Sequence, residues 1–105
     1  MKLLTKEIEA KFKEIGTQEG VKDPVVVVKF FNACGAGTWF STGYDPKTKT
    51  FYGYVSIFGD YRDEWGYFSL EELESLNNPL AFIKVERDIL FKPKKFSKAL
   101  KEEMG

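Results

Sequence analysis

A chain of 105 residues suits a single domain, 1–105, with one core, and its 43% hydrophobic content excludes wholesale disorder. Sixteen basic residues balance sixteen acidic ones, so no global field draws the chain to nucleic acid or anionic lipid. The single cysteine, Cys34, excludes an intramolecular disulfide, and the lack of histidine removes Ser-His and Cys-His pairs and most catalytic zinc sites.

Thr5 is placed to cap a helix running to about Ile15. Ile8, Phe12 and Ile15 share one face of it, Leu4 precedes the cap, and Gly16 supplies a stop. After a loop over 20–24, the run Val25 to Phe31 is β-branched and aromatic and reads as one strand. Its nearly continuous apolarity predicts cover on both faces. Lys29 interrupts it and is expected to snorkel at a sheet margin. Residues 32–37 form a small-residue connection in which Cys34 reads as a loop residue. Gly35-Ala36-Gly37 lacks the Lys-Ser/Thr of a phosphate loop.

An antiparallel meander follows, with strands predicted at Thr38–Thr42 and Thr50–Phe58 around a turn at Tyr44-Asp45-Pro46-Lys47. Alternation sets Phe51, Gly53, Val55 and Ile57 on one face, and Tyr52, Tyr54, Ser56 and Phe58 on the other. Gly53 in mid-strand marks a bulge or a close approach by another element. A polar loop over 59–63 leads to a third run, Glu64–Phe68, and Ser69 with Glu72 fits a capping box opening a second helix. Asn77-Asn78-Pro79 ends that helix, Ile83–Ile89 alternates as a further strand, and Pro93 breaks it. A short helix over Phe96–Lys101 is expected, capped by Ser97. The predicted class is α+β: a mostly antiparallel sheet of four to five strands with an N-terminal helix, a second helix after the meander and a short C-terminal helix. Ile8, Phe12, Val26, Val28, Phe30, Val55 and Leu73 are its expected core.

Charge is uneven along the chain. From Asp60 to Ser75, six acids (Asp60, Asp63, Glu64, Glu71, Glu72, Glu74) face only Arg62. From Lys92 to Gly105, five lysines face Glu102 and Glu103. Solvated faces explain both segments, and an acidic docking patch and a basic tail are the sharper alternatives. Asp60, Asp63 and Glu64 cluster without the spacing of a calcium loop. Lys84, Glu86 and Asp88 share one strand face and read as a surface ion-pair ladder. Trp39, Tyr52, Tyr54, Phe58 and Tyr67 could stack nucleobases, but that chemistry interleaves aromatics with Arg or Lys, in which the meander is poor. Core packing under the helices is the simpler expectation, and any exposed part suits a protein interface.

Lys2-Leu3-Leu4-Thr5, Asp23-Pro24, Lys29-Phe30-Phe31, Thr38-Trp39, Tyr44-Asp45-Pro46, Glu86-Arg87-Asp88 and above all the Gly66-to-Glu74 segment resemble the family termed domain of unknown function 2958. The resemblance spans nearly the whole chain. It implies a complete one-domain protein of the kind carried by bacteria and phages, often on plasmids and other mobile elements. It brings no established activity and no catalytic residues. The lysine-rich tail after Lys92 and the Gly-Ala-Gly before Thr38 are where this chain departs from it.

The sequence reading is therefore a cytoplasmic, non-enzymatic protein-binding or regulatory module that needs no cofactor or metal. Its contact residues are expected at Tyr61, Asp63, Glu64 and Trp65, with an unidentified protein as partner. A second reading is a nucleic-acid-binding accessory protein using Lys94, Lys95 and Lys98. A third is a small metal-dependent hydrolase using the carboxylates. The longest apolar run, Val25–Val28, is too short to span a membrane, and the first seven residues lack the apolar core of a signal peptide.

Overall fold

Local capping chemistry sets the helix boundaries in the computed structural model, which describes residues 1–57, 59, 61–81 and 83–104, with the side chains of Pro79 and Met104 left aside. Helix α1 (Lys6–Ile15) begins where Thr5 Oγ1 accepts from the Ile8 N–H at 3.2 Å. It ends at Gly16, whose φ of 76° suits glycine and whose N–H donates to the Phe12 carbonyl. Its buried stripe lies against a five-stranded antiparallel sheet.

The strands are β1 (Val25–Val26), β2 (Val28–Asn32), β3 (Thr38–Asp45), β4 (Thr50–Ser56), β5 (Glu64–Ser69) and β6 (Val85–Arg87), followed by β7 (Lys94–Lys95). The main sheet runs in the order β5-β4-β3-β2-β6, and β1 pairs with β7 in a separate two-stranded ribbon. Helix α2 (Leu70–Ser75) continues directly from β5, and α3 (Phe96–Met104) closes the described fold. The structure is α+β, with an N-terminal helix, a five-stranded antiparallel sheet and a short C-terminal helix.

Several expected boundaries move. The run Val25–Phe31 is two strands, because at Val27 the chain leaves its partner β7 and the Val27 N–H turns to the Ser41 carbonyl at 2.9 Å. Residues 25–28 around the break are all valine, so no alternation marks it. Strand β3 continues to Asp45, and the turn shifts to 46–49 with Lys49 at φ 54°. Strand β4 ends at Ser56, while Phe58 lies outside the described residues. The Ile83–Ile89 strand shortens to β6, with Ile83 in an isolated bridge to Asn78.

The cap expected from Ser97 is overturned. Ser97 is the second residue of α3, and the cap is Asp23, 74 residues away, which accepts from the Ser97 N–H at 2.8 Å and its hydroxyl at 2.6 Å. The Phe96 N–H donates to the Pro24 carbonyl at 2.8 Å, so β1 and α3 are clamped together.

The sheet is covered on both faces. On the α1 side lies an aromatic core of Phe12, Phe30, Phe51 and Phe68, closed by Leu73 of α2. The Phe30 and Phe51 centroids are 5.3 Å apart in an edge-to-face pair. On the α3 side Val26, Phe40 and Ala99 are buried, with Tyr54, Phe96 and Leu100 packed around them. Of the expected core, Phe12, Val26, Val28, Phe30 and Leu73 are buried, while Ile8 and Val55 are half-buried at the rim. Gly53 is the close approach that its position implies. A Cβ there would lie 2.8 Å from Phe40 C and 2.9 Å from Ser41 Cα, next to the register shift between Ser41 and Gly43.

At α2, Ser69 Oγ accepts from the Glu72 N–H at 2.9 Å. No return bond from Glu72 to the Ser69 N–H is formed among the described residues, so half of the capping box is made. Ser69→Ala is expected to lower stability by about 0.5–2 kcal/mol, read as a shift in urea midpoint at unchanged slope.

Candidate functional site

The two edges of the sheet are built differently. The Leu70 N–H donates to the Lys49 carbonyl at 3.0 Å, one step beyond the Ser69–Thr50 pair. Bonded and non-bonded pairs alternate in an antiparallel ladder. Glu64, Gly66 and Phe68 therefore bond to β4, while Trp65 and Tyr67 turn their backbone N–H and C=O groups outward and Ser69 its N–H, the Ser69 carbonyl starting α2. Strand β5 is the last in the sheet, and no described residue pairs with its outer side.

Strand β6, at the opposite end, is protected. Asp88 N–H to Lys29 O and Ala33 N–H to Lys84 O fix its phase, so the backbone N–H and C=O groups of Val85 and Arg87 point to the outer edge. The Val85 N–H donates to Asn77 Oδ1 at 2.7 Å and the Arg87 N–H to Met1 Sδ at 3.0 Å. The Arg87 guanidinium bonds the Lys2 carbonyl. The N-terminal segment and Asn77 thus cover that edge, whereas the described residues leave β5 as a bare pairing template.

The residues that expose their backbone on β5 also carry its exposed rings. Trp65 and Tyr67 pair with Tyr54 and Tyr52 across the ladder, on the α3 side of the sheet. Trp65 rests on Phe96 at 4.7 Å and on Tyr54 at 5.5 Å. Tyr52 stacks on Trp65 at 5.9 Å and meets Tyr67 at 4.9 Å. Helix α3 covers Tyr54 but leaves Tyr52, Trp65 and Tyr67 38%, 36% and 77% exposed. These three rings line one part of an open groove of about 1170 Å³ that continues past Gly43 and Tyr44 to the loop around Gln18 and Lys22 and to Lys6, Glu9 and Lys13 of α1. Gln18 pins that loop: its amide donates to the Val25 and Thr42 carbonyls, both at 2.8 Å, and accepts from the Val25 N–H at 2.7 Å.

The residues expected to make contacts separate in the structure. Trp65 joins the aromatic stripe. Tyr61 is 91% exposed, with the Arg62 guanidinium 5.8 Å from its ring centroid. Asp63 is engaged within its own loop, accepting from Ser56 Oγ at 2.8 Å and the Gly59 N–H at 3.2 Å. Glu64 is exposed and, by alternation, faces the α1 side. Asp60 lies outside the described residues. Glu64 of β5 and Glu71, Glu72 and Glu74 of the helix that follows it are all exposed. Tyr52 and Tyr67 belong to the candidate stacking face, and their exposure follows from where α3 begins, since its first residue, Phe96, meets Trp65 and Tyr54. Trp39 leaves that set altogether, being buried on the α1 side opposite Val55.

The lysine-rich tail is partly neutralised by its own helix. Lys94 Nζ lies 2.6 Å from Glu102 and 5.0 Å from the Phe91 ring centroid, while Lys95 and Lys98 are exposed. The bond from Lys94 holds the Glu102 carboxyl below its usual range, against a smaller upward push from burial. Lys29 is not a snorkelling residue at a sheet margin. Its ammonium, 16% exposed, sits 2.5 Å from Glu103 and 3.7 Å from Asp88, tying β2 to α3. Lys84 pairs with Glu86 at 3.3 Å, the remaining part of the expected ladder.

Asp23 carries a pH-dependent contribution. The Ser97 hydroxyl and then the Ser97 N–H hold its carboxyl below the usual range, burial opposes them weakly, and Lys95 adds a smaller downward pull. A carboxyl depressed in the folded state stabilises fully above its unfolded value, near about 3.9. That stabilisation is lost as pH falls through the folded value. Thermal melts from about pH 5 to about pH 2 are expected to show a steeper loss for the wild type than for Asp23→Asn. Equal slopes would remove Asp23 from the α3 cap.

Among the described residues no three His, Cys, Asp or Glu side chains gather as a metal site, and no buried polar side-chain atom lacks a partner. Cys34 is exposed in its loop, with its N–H donating to Asn32 Oδ1 at 3.1 Å. No described helix is long and apolar enough to cross a membrane. What the geometry offers is a surface: a strand edge that no described residue pairs, three packed rings beside it and exposed carboxylates on β5 and the helix that follows.

Comparison with curated proteins and with solved structures finds no match. A family model described as "Protein of unknown function (DUF2958)" matches residues 3–101. The match takes in every secondary-structure element up to the last turn of α3, so the chain belongs to the DUF2958 family.

Proposed function

We propose that the protein is a non-enzymatic binding module that docks a partner protein on the aromatic stripe of Tyr52, Trp65 and Tyr67 beside the β5 edge. The observation that carries the reading is the asymmetry of the sheet: one edge is covered by Asn77 and the N-terminal residues, and the other is bare and flanked by exposed rings. Tyr and Trp anchor protein interfaces through large, stiff contact area and need no local positive charge. The resemblance of the chain to proteins of plasmids and phages supports a regulatory role on behalf of a mobile element in the bacterial cytoplasm.

The test is quantitative affinity capture from the native host, comparing the wild type with Trp65→Ala/Tyr67→Ala. Asp63 is left unchanged in both proteins because it holds its own loop together. A specific protein retained by the wild type and reduced at least tenfold by the double variant, with cooperative melting preserved, is the expected result. Capture unaffected by the double variant would contradict it. Salt-sensitive nucleic-acid binding that disappears in Lys94→Gln/Lys95→Gln/Lys98→Gln would instead favour the tail as the functional surface.

A further inference from the structure

We infer that the partner engages β5 by adding a strand to it, and that the added segment is extended and basic. The inference rests on the binding-module reading and specifies its chemistry. Six residues of β5 present an edge of about 20 Å at about 3.3 Å per residue. Trp65 and Tyr67 offer N–H and C=O groups along it two residues apart, the spacing an incoming strand needs, and Ser69 adds its N–H, its carbonyl being taken by the first turn of α2. Gly66 sits at the centre, and a Cβ there would meet nothing within 4 Å, so the backbone is approachable from the α1 side.

Charge selects the occupant. From Asp63 to Glu74 the chain carries Asp63, Glu64, Glu71, Glu72 and Glu74 with no Lys or Arg. A second copy added to β5 would set this acidic stretch against itself, and like charges across a strand pair are destabilising. A segment bearing Lys or Arg would meet complementary charge instead. The two faces of the edge then dictate a pattern. Residues of the added strand on the α3 side lie beside Trp65 and Tyr67 and suit apolar or aromatic side chains. Alternate residues fall on the side of Glu64 and α2 and suit Lys or Arg.

The probe is a displayed library of random 12-residue peptides selected on the full-length protein. Enriched peptides are expected to alternate basic with apolar residues. The affinity of a synthetic winner is expected to fall at least tenfold when backbone N-methyl groups sit on the residues whose N–H faces β5. Methylation of the intervening residues should leave it within twofold. Tyr67→Pro, which removes the outward N–H at an edge position that tolerates proline, is expected to bind at least tenfold more weakly than Tyr67→Ala. Glu64→Lys/Glu71→Lys should weaken binding at least fivefold at low salt.

Indifference to N-methylation on both sets of positions would overturn strand addition even if Tyr67→Pro proves unstable. Acidic winners would overturn the charge assignment, and no enrichment above an unrelated domain would overturn the inference as a whole. Winners that lose affinity with Trp65→Ala but ignore N-methylation would sink strand addition alone, leaving the aromatic stripe as the docking surface.

Discussion

Gly53→Ala is expected to cost about 3 kcal/mol or more, at or beyond the upper end of the usual penalty for overpacking. The added Cβ would run into the Phe40 carbonyl group and Ser41 Cα, which are backbone atoms and cannot rotate away. The paired position gives the control. Gly66 lies directly opposite Gly53 in the ladder, yet a Cβ there meets open space. Gly66→Ala should change stability by no more than about 1 kcal/mol, with a gain possible because the unfolded chain loses freedom. Urea denaturation of the two variants side by side distinguishes steric conflict from a general aversion to alanine in strands. Equal effects would show that Gly53 does not mark a close backbone approach.

Phe30→Ala is expected to destabilise by about 3–5 kcal/mol. Phe30 is 0% exposed at the centre of β2, and its ring packs edge-on against Phe51, itself 0% exposed. The sheet backbone on both sides restricts collapse around the cavity. Tyr67→Ala, removing a ring that is 77% exposed, should cost far less, within about 1 kcal/mol. The contrast matters for function, because the rings assigned to binding must be removable without unfolding the domain.

What the sequence could reveal followed from how local the interactions are. Thr5 and Ser69 were recognisable as caps because each oxygen reaches an N–H three residues on. The Asp23 cap on α3 was invisible for the opposite reason: its two groups are 74 residues apart and meet only when β1 and β7 pair. Gly53 announced a close approach because a glycine between aromatic strand residues has little other purpose, though which backbone approached could not be read. The break at Val27 left no trace in a run of valines.

The candidate site was legible in part. Trp65 stood out as an aromatic anchor among acids, and alternation put Tyr52 and Tyr54 on a common face. Which of these rings would be covered depends on where α3 begins: its first residue, Phe96, lies on Trp65 and Tyr54, and that start is held by the distant Asp23 and Pro24. The bare edge depends on strand order, which periodicity does not encode. The sequence reading also counted Asp63 among the contacts, because composition cannot show that a carboxylate is engaged by Ser56 and Gly59.

The central claim is that β5 keeps its outer backbone groups unpaired until a partner supplies a strand, and residue-resolved amide hydrogen exchange measures this directly. In the free protein the Gly66 and Phe68 amides, bonded to β4, should exchange slowly, while those of Trp65 and Tyr67 exchange at least a hundredfold faster. On saturation with a selected basic peptide, Trp65 and Tyr67 should slow to the level of their neighbours. Slow exchange at Trp65 and Tyr67 in the free protein, or fast exchange persisting in the complex, would contradict it.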